Sequence, residues 1–154
     1  MFRDLVVELL EECLQKRSDL FLIYFEILDG NKIRIVIDGD SGVLVEDCMY
    51  VSRAIEHNLD RDEQDFSLEV SSAGATSPIV HQRQYPKHLG RTLKVLTFEK
   101  EKYEAVLTAA KEKHIVLEWK AREAKPIGKG RVTVHKKAKV SYQDIEKAQI
   151  KLIF

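Results

Sequence analysis

Residues 66–74 read Phe-Ser-Leu-Glu-Val-Ser-Ser-Ala-Gly, and this stretch decides how the N-terminal half of the chain is organised. Apolar and polar residues alternate from Phe66 to Val70, which is the period of a strand with one buried face. Small residues and then Pro78 follow, a composition typical of an exposed loop. We therefore expect a strand that ends a first domain near residue 80 and a loop that leads out of it.

Four further elements are predicted upstream of this strand. Apolar residues recur at helical spacing in two segments. Of two others that flank the turn Asp29-Gly30-Asn31, the first is rich in Phe, Ile and Tyr, and the second has Ile at every other position. The predicted helices cover 2–16 and 45–59, and the predicted strands cover 20–28 and 32–38. Residues 1–80 are thus predicted to form a small domain with the element order αββαβ.

The pattern changes after Gly90, where short β-like runs follow one another without a convincing amphipathic helix. The runs cover 92–98, 103–110, 114–121, 131–140 and 148–154. Ser141 to Ile145 is typical of one 3-10 turn before the last strand. Five strands with such a turn predict an SH3-like or Sm-like barrel over residues 89–154. Residues 81–88 are the predicted linker, and the fold class is α+β.

The two halves of the chain carry opposite charge. Residues 1–85 hold 8 Lys and Arg against 17 Asp and Glu, a net charge of −9, whereas residues 86–154 hold 17 against 8, a net charge of +9. Such asymmetry indicates two domains with different electrostatic roles.

Composition narrows the class of protein. With 44% hydrophobic and 32% charged residues the chain has the material for a core and a solvated surface. The longest apolar stretch, Leu20 to Leu28, is too short to span a bilayer, and the N-terminus does not resemble a signal peptide. We expect a monomeric cytoplasmic protein without membrane association. Cys13 and Cys48 lie on apolar helix faces, so reduced, buried thiols are expected.

The sequence offers only weak candidates for a catalytic or metal-binding site. The five histidines and two cysteines do not show the close spacing of a structural zinc site. Asp38, Asp40 and Asp47 resemble a carboxylate cluster only faintly, and turn-forming or helix-capping roles fit them better. Gly128-Lys129-Gly130 fits a hairpin tip better than a phosphate loop. We expect no catalytic residues, no metal and no cofactor.

The most informative stretch for function is the basic segment from residue 120 to residue 139. It contains a single acidic residue, Glu123, and its excess of positive charge is typical of surfaces that face phosphates. Few aromatic residues accompany the charges, so recognition of specific bases is not indicated. The predicted RNA- or ribosome-binding residues are Lys120, Arg122, Lys125, Lys129, Arg131, Lys136, Lys137 and Lys139.

Several motifs occur together and in a fixed order. They are Ile35-Val36-Ile37-Asp38, Gly42-Val43, Glu46-Asp47-Cys48, Val51-Ser52-Arg53-Ala54, the strand and loop from Phe66 to Pro78, Leu89-Gly90-Arg91, and Tyr142-x-Asp144-Ile145-x-Lys147-Ala148. Together they resemble the RimP family of ribosome maturation factors over nearly the whole chain. The matching loop residues are Ser71, Ser72, Gly74 and Pro78. Ala73, Ala75-Thr76-Ser77 and Leu44 depart from the family pattern.

The resemblance implies an αββαβ domain followed by an SH3-like barrel. It further implies a protein without enzymatic activity that assists maturation of the small ribosomal subunit by binding ribosomal RNA and a small-subunit protein. Three alternatives stay open on the residues alone: a general RNA-binding module, a Mg²⁺-dependent nuclease that uses Asp38, Asp40 and Asp47, and self-association of oppositely charged halves.

Overall fold

A computed structural model describes residues 1–152 of the chain. The chain divides into two compact units, the first from Met1 to Gly74 and the second beginning at Ala75. Each unit has its own cluster of buried side chains.

The first unit has the predicted αββαβ order. Its elements are α1 (Phe2–Gln15), β1 (Leu20–Leu28), β2 (Lys32–Gly39), α2 (Val45–Glu56) and β3 (Ser67–Ser72). β2 lies in the middle of the sheet, antiparallel to β1 and parallel to β3. The hairpin between β1 and β2 turns at Gly30 and Asn31, which both have a positive φ, at 81° and 56°.

The core of the first unit lies between the sheet and the two helices. The buried isoleucines of β2, Ile33, Ile35 and Ile37, alternate along the strand as the sequence indicates. Helix α1 contributes Val6, Leu10 and Cys13, and helix α2 contributes Val51 and Ile55. Burial of each large apolar side chain stabilises the fold by about 1.5–3 kcal/mol, so this cluster holds the helices against the sheet.

The second unit is a five-stranded antiparallel sheet. Its strands are β4 (Thr92–Thr97), β5 (Lys102–Ala110), β6 (His114–Ala124), β7 (Arg131–Ser141) and β8 (Ile145–Ile150). The order across the sheet is β7-β6-β5-β4-β8, with a 3-10 turn at Tyr142–Asp144 before β8. β7 and β8 are the edges of this sheet among the described residues, so closure into an SH3-like or Sm-like barrel stays a prediction.

Residues 81–88, the predicted linker, are built into the second unit. They form two 3-10 turns, Gln82–Gln84 and Pro86–His88, and between them Tyr85 is only 4% exposed. Its ring lies 5.3 Å from that of Tyr142, and burial raises the pKa of Tyr85 to about 12. Ile79 also joins the core and donates its N–H to the carbonyl of Ala148 at 2.7 Å. Within 81–88 Tyr85 is the single aromatic residue in an otherwise polar segment with one proline, and one such residue gives no periodicity, which is why the sequence indicates a linker there.

Several strand bounds differ from the prediction. β6 continues to Ala124 because every residue of it pairs with β7, including the exposed pair of Ala124 and Arg131. β8 begins at Ile145, immediately after the 3-10 turn, rather than at residue 148. The predicted end of that strand at residues 153 and 154 lies outside the described residues.

Candidate nucleic-acid interface

The β6–β7 hairpin carries the basic segment predicted from the sequence. Eleven residue pairs run from His114 opposite Ser141 to Ala124 opposite Arg131. The tip closes with a hydrogen bond from the N–H of Lys125 to the carbonyl of Gly130 at 3.2 Å. Gly128 and Gly130 have φ angles of 85° and 98°, a conformation that other residues adopt at a cost.

Strand pairing sorts the basic residues onto two faces of this hairpin. Ile115 and Leu117 are fully buried, so these positions and the alternate ones after them lie on the core side, and the intervening residues face outward. Residues directly opposite each other share a face. The outward positions on β6 are 114, 116, 118, 120, 122 and 124, and their partners on β7 are 141, 139, 137, 135, 133 and 131.

Five of the eight predicted binding residues lie on the outward face, and we call them the outer stripe. Lys120 is opposite His135, and Arg122 is opposite Thr133, whose hydroxyl it contacts at 3.4 Å. The outer stripe consists of Lys120, Arg122, Arg131, Lys137 and Lys139. In the described part of the chain none of these five has an ion pair, so their charge is available to an anionic partner.

Lys136 lies on the other face. It is directly opposite Trp119, which packs against the core, and its ammonium pairs with Glu123 at 2.5 Å. Lys136 is therefore separated from the outer stripe, and the single acid of the basic segment neutralises this lysine. Lys125 and Lys129 flank the exposed tip and belong to neither face.

One acidic side chain, that of Glu118, lies within the outer stripe. Its carboxylate is opposite Lys137 and hydrogen-bonds His135 at 2.7 Å. Hydrogen bonds with Thr108 and then with His135 hold the pKa of Glu118 below its usual range. The carboxylate therefore stays ionised and helps to hold the imidazole ring of His135 in place across the strands.

The structure adds basic residues that the sequence argument missed. Lys111 and Lys113 lie in the exposed turn before β6, near His114. Partial burial, and then the charges of Lys139 and Lys111, lower the pKa of His114. Lys111 and Lys113 thus immediately precede the end of the hairpin at which Val116 is opposite Lys139. The sequence signal was the Lys-Glu-Lys-His turn between two β-like runs, which only strand pairing connects to the hairpin.

The loop residues that resemble the family motif follow β3. Ser71 and Ser72 end the strand, and the next residue, Ala73, donates its N–H to the carbonyl of Ile37 at 3.1 Å. Ser72, Gly74 and Pro78 are exposed, and Ser71 is half-buried. The loop is thus anchored to β2 at its start and exposed after that.

The carboxylates considered for a metal site have other partners. Asp47 accepts the N–H of Leu44 and a guanidinium N–H of Arg17, each at 2.8 Å, and these contacts in that order lower its pKa. Asp38 is buried and accepts the N–H of Gly39 at 2.8 Å. Within residues 1–152 no group of three or more metal-ligating side chains was found.

Cys13 lies in the core as expected, whereas Cys48 packs against the core without being fully buried. Cys13 is buried and Cys48 half-buried, and burial raises the pKa of both thiols. Thiolates are the reactive form, so this environment disfavours nucleophilic chemistry at either residue. Among the described helices none has the length and apolarity needed to cross a bilayer.

Comparison with known proteins places this chain in a family. The model of the RimP N-terminal domain matches residues 9–76. A ribosome maturation factor RimP from Christiangramia forsetii is 51% identical, with 100% of both chains covered, and one from Flavobacterium psychrophilum is 47% identical, with 99% of both covered. The RimP of Cytophaga hutchinsonii is 30% identical over 93% of this chain and 92% of its own. The chain therefore belongs to the RimP family.

Proposed function

We propose that this protein is a ribosome maturation factor that binds the immature small ribosomal subunit and assists its assembly. Its partners in this proposal are ribosomal RNA and a small-subunit ribosomal protein. Full-length similarity to proteins named ribosome maturation factor RimP supports the role in maturation. The choice of the small subunit rests on the family resemblance seen in the sequence.

The observation that carries the proposed RNA contact is the outer stripe. Its five cations lie on one face of a regular hairpin, and none has an ion pair within the described residues. Contacts with phosphates release the counterions that surround RNA, and this release drives binding without reading the bases. Lys125 and Lys129 extend the same positive field at the hairpin tip.

The first unit has the opposite charge and a different proposed partner. Residues 1–74 hold 7 Lys and Arg against 17 Asp and Glu, a net charge of −10. Phosphates repel such a surface, whereas a basic ribosomal protein is attracted to it. We assign the protein contact to this unit, with the family-motif residues at its end, Ser71, Ser72 and Gly74, as its candidate contact segment. The fourth family-motif residue, Pro78, continues the same loop in the second unit.

In this proposal the protein acts by binding and not by catalysis, as a monomer in the cytoplasm. The second unit has a net charge of +10, with 18 Lys and Arg against 8 Asp and Glu. A general RNA-binding protein would use the same charges. The two proteins differ in what they recognise. A maturation factor recognises the small ribosomal subunit as a particle, whereas a general RNA-binding protein recognises only the RNA.

Co-sedimentation with isolated small subunits, large subunits and whole ribosomes at graded salt tests the proposal. We expect binding to free small subunits alone, weakening as salt rises, and its loss when the five outer-stripe residues are replaced by Gln. Lys16→Gln with Lys32→Gln, in the first unit, is the charge control. Equal binding to every particle would establish a general RNA binder, and binding that survives the five substitutions would contradict the assigned RNA surface.

A further inference from the structure

A second basic surface lies on the outward face of β8, β4 and β5. An open groove of about 420 Å³ crosses these strands. Leu96 lines the groove on its middle strand, with Lys102 directly opposite on β5 and Lys147 directly opposite on β8. One step along the sheet, Lys94 lies between Glu104 and Gln149. The strand register therefore places three lysines around one apolar position.

The basic and the acidic side chains of this groove differ in whether they form ion pairs. In the described part of the chain, Lys94, Lys102 and Lys147 have no ion pair. The acidic side chain that lines the groove, Glu104, is held by Lys151 at 2.7 Å. Contact with Lys151 and then the nearby charge of Lys94 lower the pKa of Glu104, so its charge is already compensated. The groove keeps a net positive charge.

The groove and the outer stripe belong to the same face of one sheet. Val106 on β5 is opposite Thr92 on β4 and also opposite Glu118 on β6, which connects the two surfaces through paired residues. Neighbouring strands lie about 4.8 Å apart, so β4 at the groove centre is about 10 Å from β6 along the sheet. One flexible nucleic-acid strand is long enough to cover both.

We propose that the groove around Leu96 is a second binding surface for the sugar–phosphate backbone of single-stranded RNA, with Lys94, Lys102 and Lys147 as its phosphate ligands. This inference rests on the proposed RNA binding and extends it from the hairpin to the whole sheet face. The groove volume is in the range that holds an entire organic ligand and not only a free ion. Leu96 provides an apolar floor for a ribose or base, while the ammonium groups contact phosphates on either side.

Fluorescence anisotropy with a labelled, mixed-sequence, single-stranded RNA tests this surface. An RNA of about 20 nucleotides is long enough, because a small RNA-binding β-barrel such as an OB fold covers up to roughly 16 nucleotides. The full-length protein is compared with three double variants. They are Lys102→Gln with Lys147→Gln in the groove, Lys120→Gln with Lys137→Gln in the outer stripe, and Lys16→Gln with Lys32→Gln as the control of equal charge change. All six side chains are exposed, so thermal melts of the variants are expected to match the parent.

We expect the groove variant to bind about tenfold more weakly near 0.1 M salt. The slope of the logarithm of the binding constant against the logarithm of the salt concentration should become shallower by about 1.4, because two phosphate contacts are lost. Glu104→Gln removes a negative charge from the groove and is expected to tighten binding. A groove variant that binds like the control overturns this inference and leaves the outer stripe intact. Weak binding by the groove variant together with an unaffected outer-stripe variant supports the groove and overturns the hairpin assignment.

Discussion

Asp47 is the residue on which the start of α2 depends. The residue before this helix, Leu44, has no side-chain oxygen with which to cap it, and Asp47 instead accepts the N–H of Leu44. The same carboxylate accepts a hydrogen bond from the guanidinium group of Arg17, which also forms an ion pair with Asp19 at 3.0 Å. Tyr50 adds a second connection, since its hydroxyl donates to the carbonyl of Cys13 at 2.8 Å. These contacts connect the end of α1 to the first turns of α2.

Replacement of Asp47 by Asn is expected to lower the Tm at pH 7 by about 5 °C, because a weaker acceptor replaces a charged one. The pKa of Asp47 is lowered in the folded state, so its ionised form stabilises the protein above its ordinary pKa of about 4, and this contribution is lost as the pH falls further. The difference in Tm between parent and variant should therefore shrink between pH 5 and pH 3. Glu46→Gln, one residue earlier and exposed, is the control for charge at the helix start. A difference that stays constant over this pH range would contradict the assigned role.

At the scale of elements, the β6–β7 hairpin separates residues that are adjacent in sequence. Lys136 and Lys137 have the same chemistry, but one is opposite Trp119 and the other opposite Glu118. Trp119 packs edge-on against Tyr103, with ring centroids 5.7 Å apart, so the Lys136 side belongs to the packed face. In the sequence alone both lysines are equal members of a basic patch. Strand register makes them different.

Single substitutions of these neighbours should therefore have unequal effects on polyanion binding. Lys137→Ala is expected to weaken binding to single-stranded RNA about threefold. The slope of the logarithm of the binding constant against the logarithm of the salt concentration should become shallower by about 0.7, the value for one phosphate contact. Lys136→Ala is expected to leave affinity unchanged, since Lys136 is paired with Glu123 on the other face. Anisotropy titrations at several salt concentrations measure both. Equal losses in the two variants would show that the hairpin binds through its tip or both faces.

At the scale of the whole molecule, the two units separate charge as well as core. The buried cluster of the second unit is drawn entirely from Ile79 to Ile150, and that of the first from Val6 to Phe66. A chain cut between them keeps each cluster complete. Two domains of net charge −10 and +10 make a neutral protein whose parts respond oppositely to a polyanion.

Residues 75–154 alone are accordingly expected to fold and to bind mixed-sequence RNA several-fold more tightly than the full chain near 0.05 M salt. The reason is that the acidic unit repels phosphates at low ionic strength, and this repulsion is screened as the Debye length falls to roughly 3 Å near 1 M salt. Circular dichroism checks the fold, and anisotropy compares the affinities. Weaker binding by the fragment would instead show that the first unit contributes contacts of its own to RNA.

Local periodicity accounts for the parts of this structure that were predictable. The αββαβ order, the hairpin at Gly30 and the inward isoleucines of β2 all follow from spacing within short segments, where 3.6-residue and two-residue periods are distinct. The segment 81–88 differs because Tyr85 has no apolar residue at either period within that segment. Only a core formed by distant strands gives that residue a partner, Tyr142.

By itself the sequence determined the element order, the opposite charges of the two halves and the family, since these depend on residue types and their spacing along the chain. The tertiary structure alone decided which charges act together. It placed Lys136 and Lys137 on opposite faces of the hairpin, and it arranged Lys102 and Lys147 around Leu96 although these two are far apart in sequence. The physical reason is strand register, because a shift of one residue moves a side chain to the opposite face of the sheet and no local pattern specifies the partner strand.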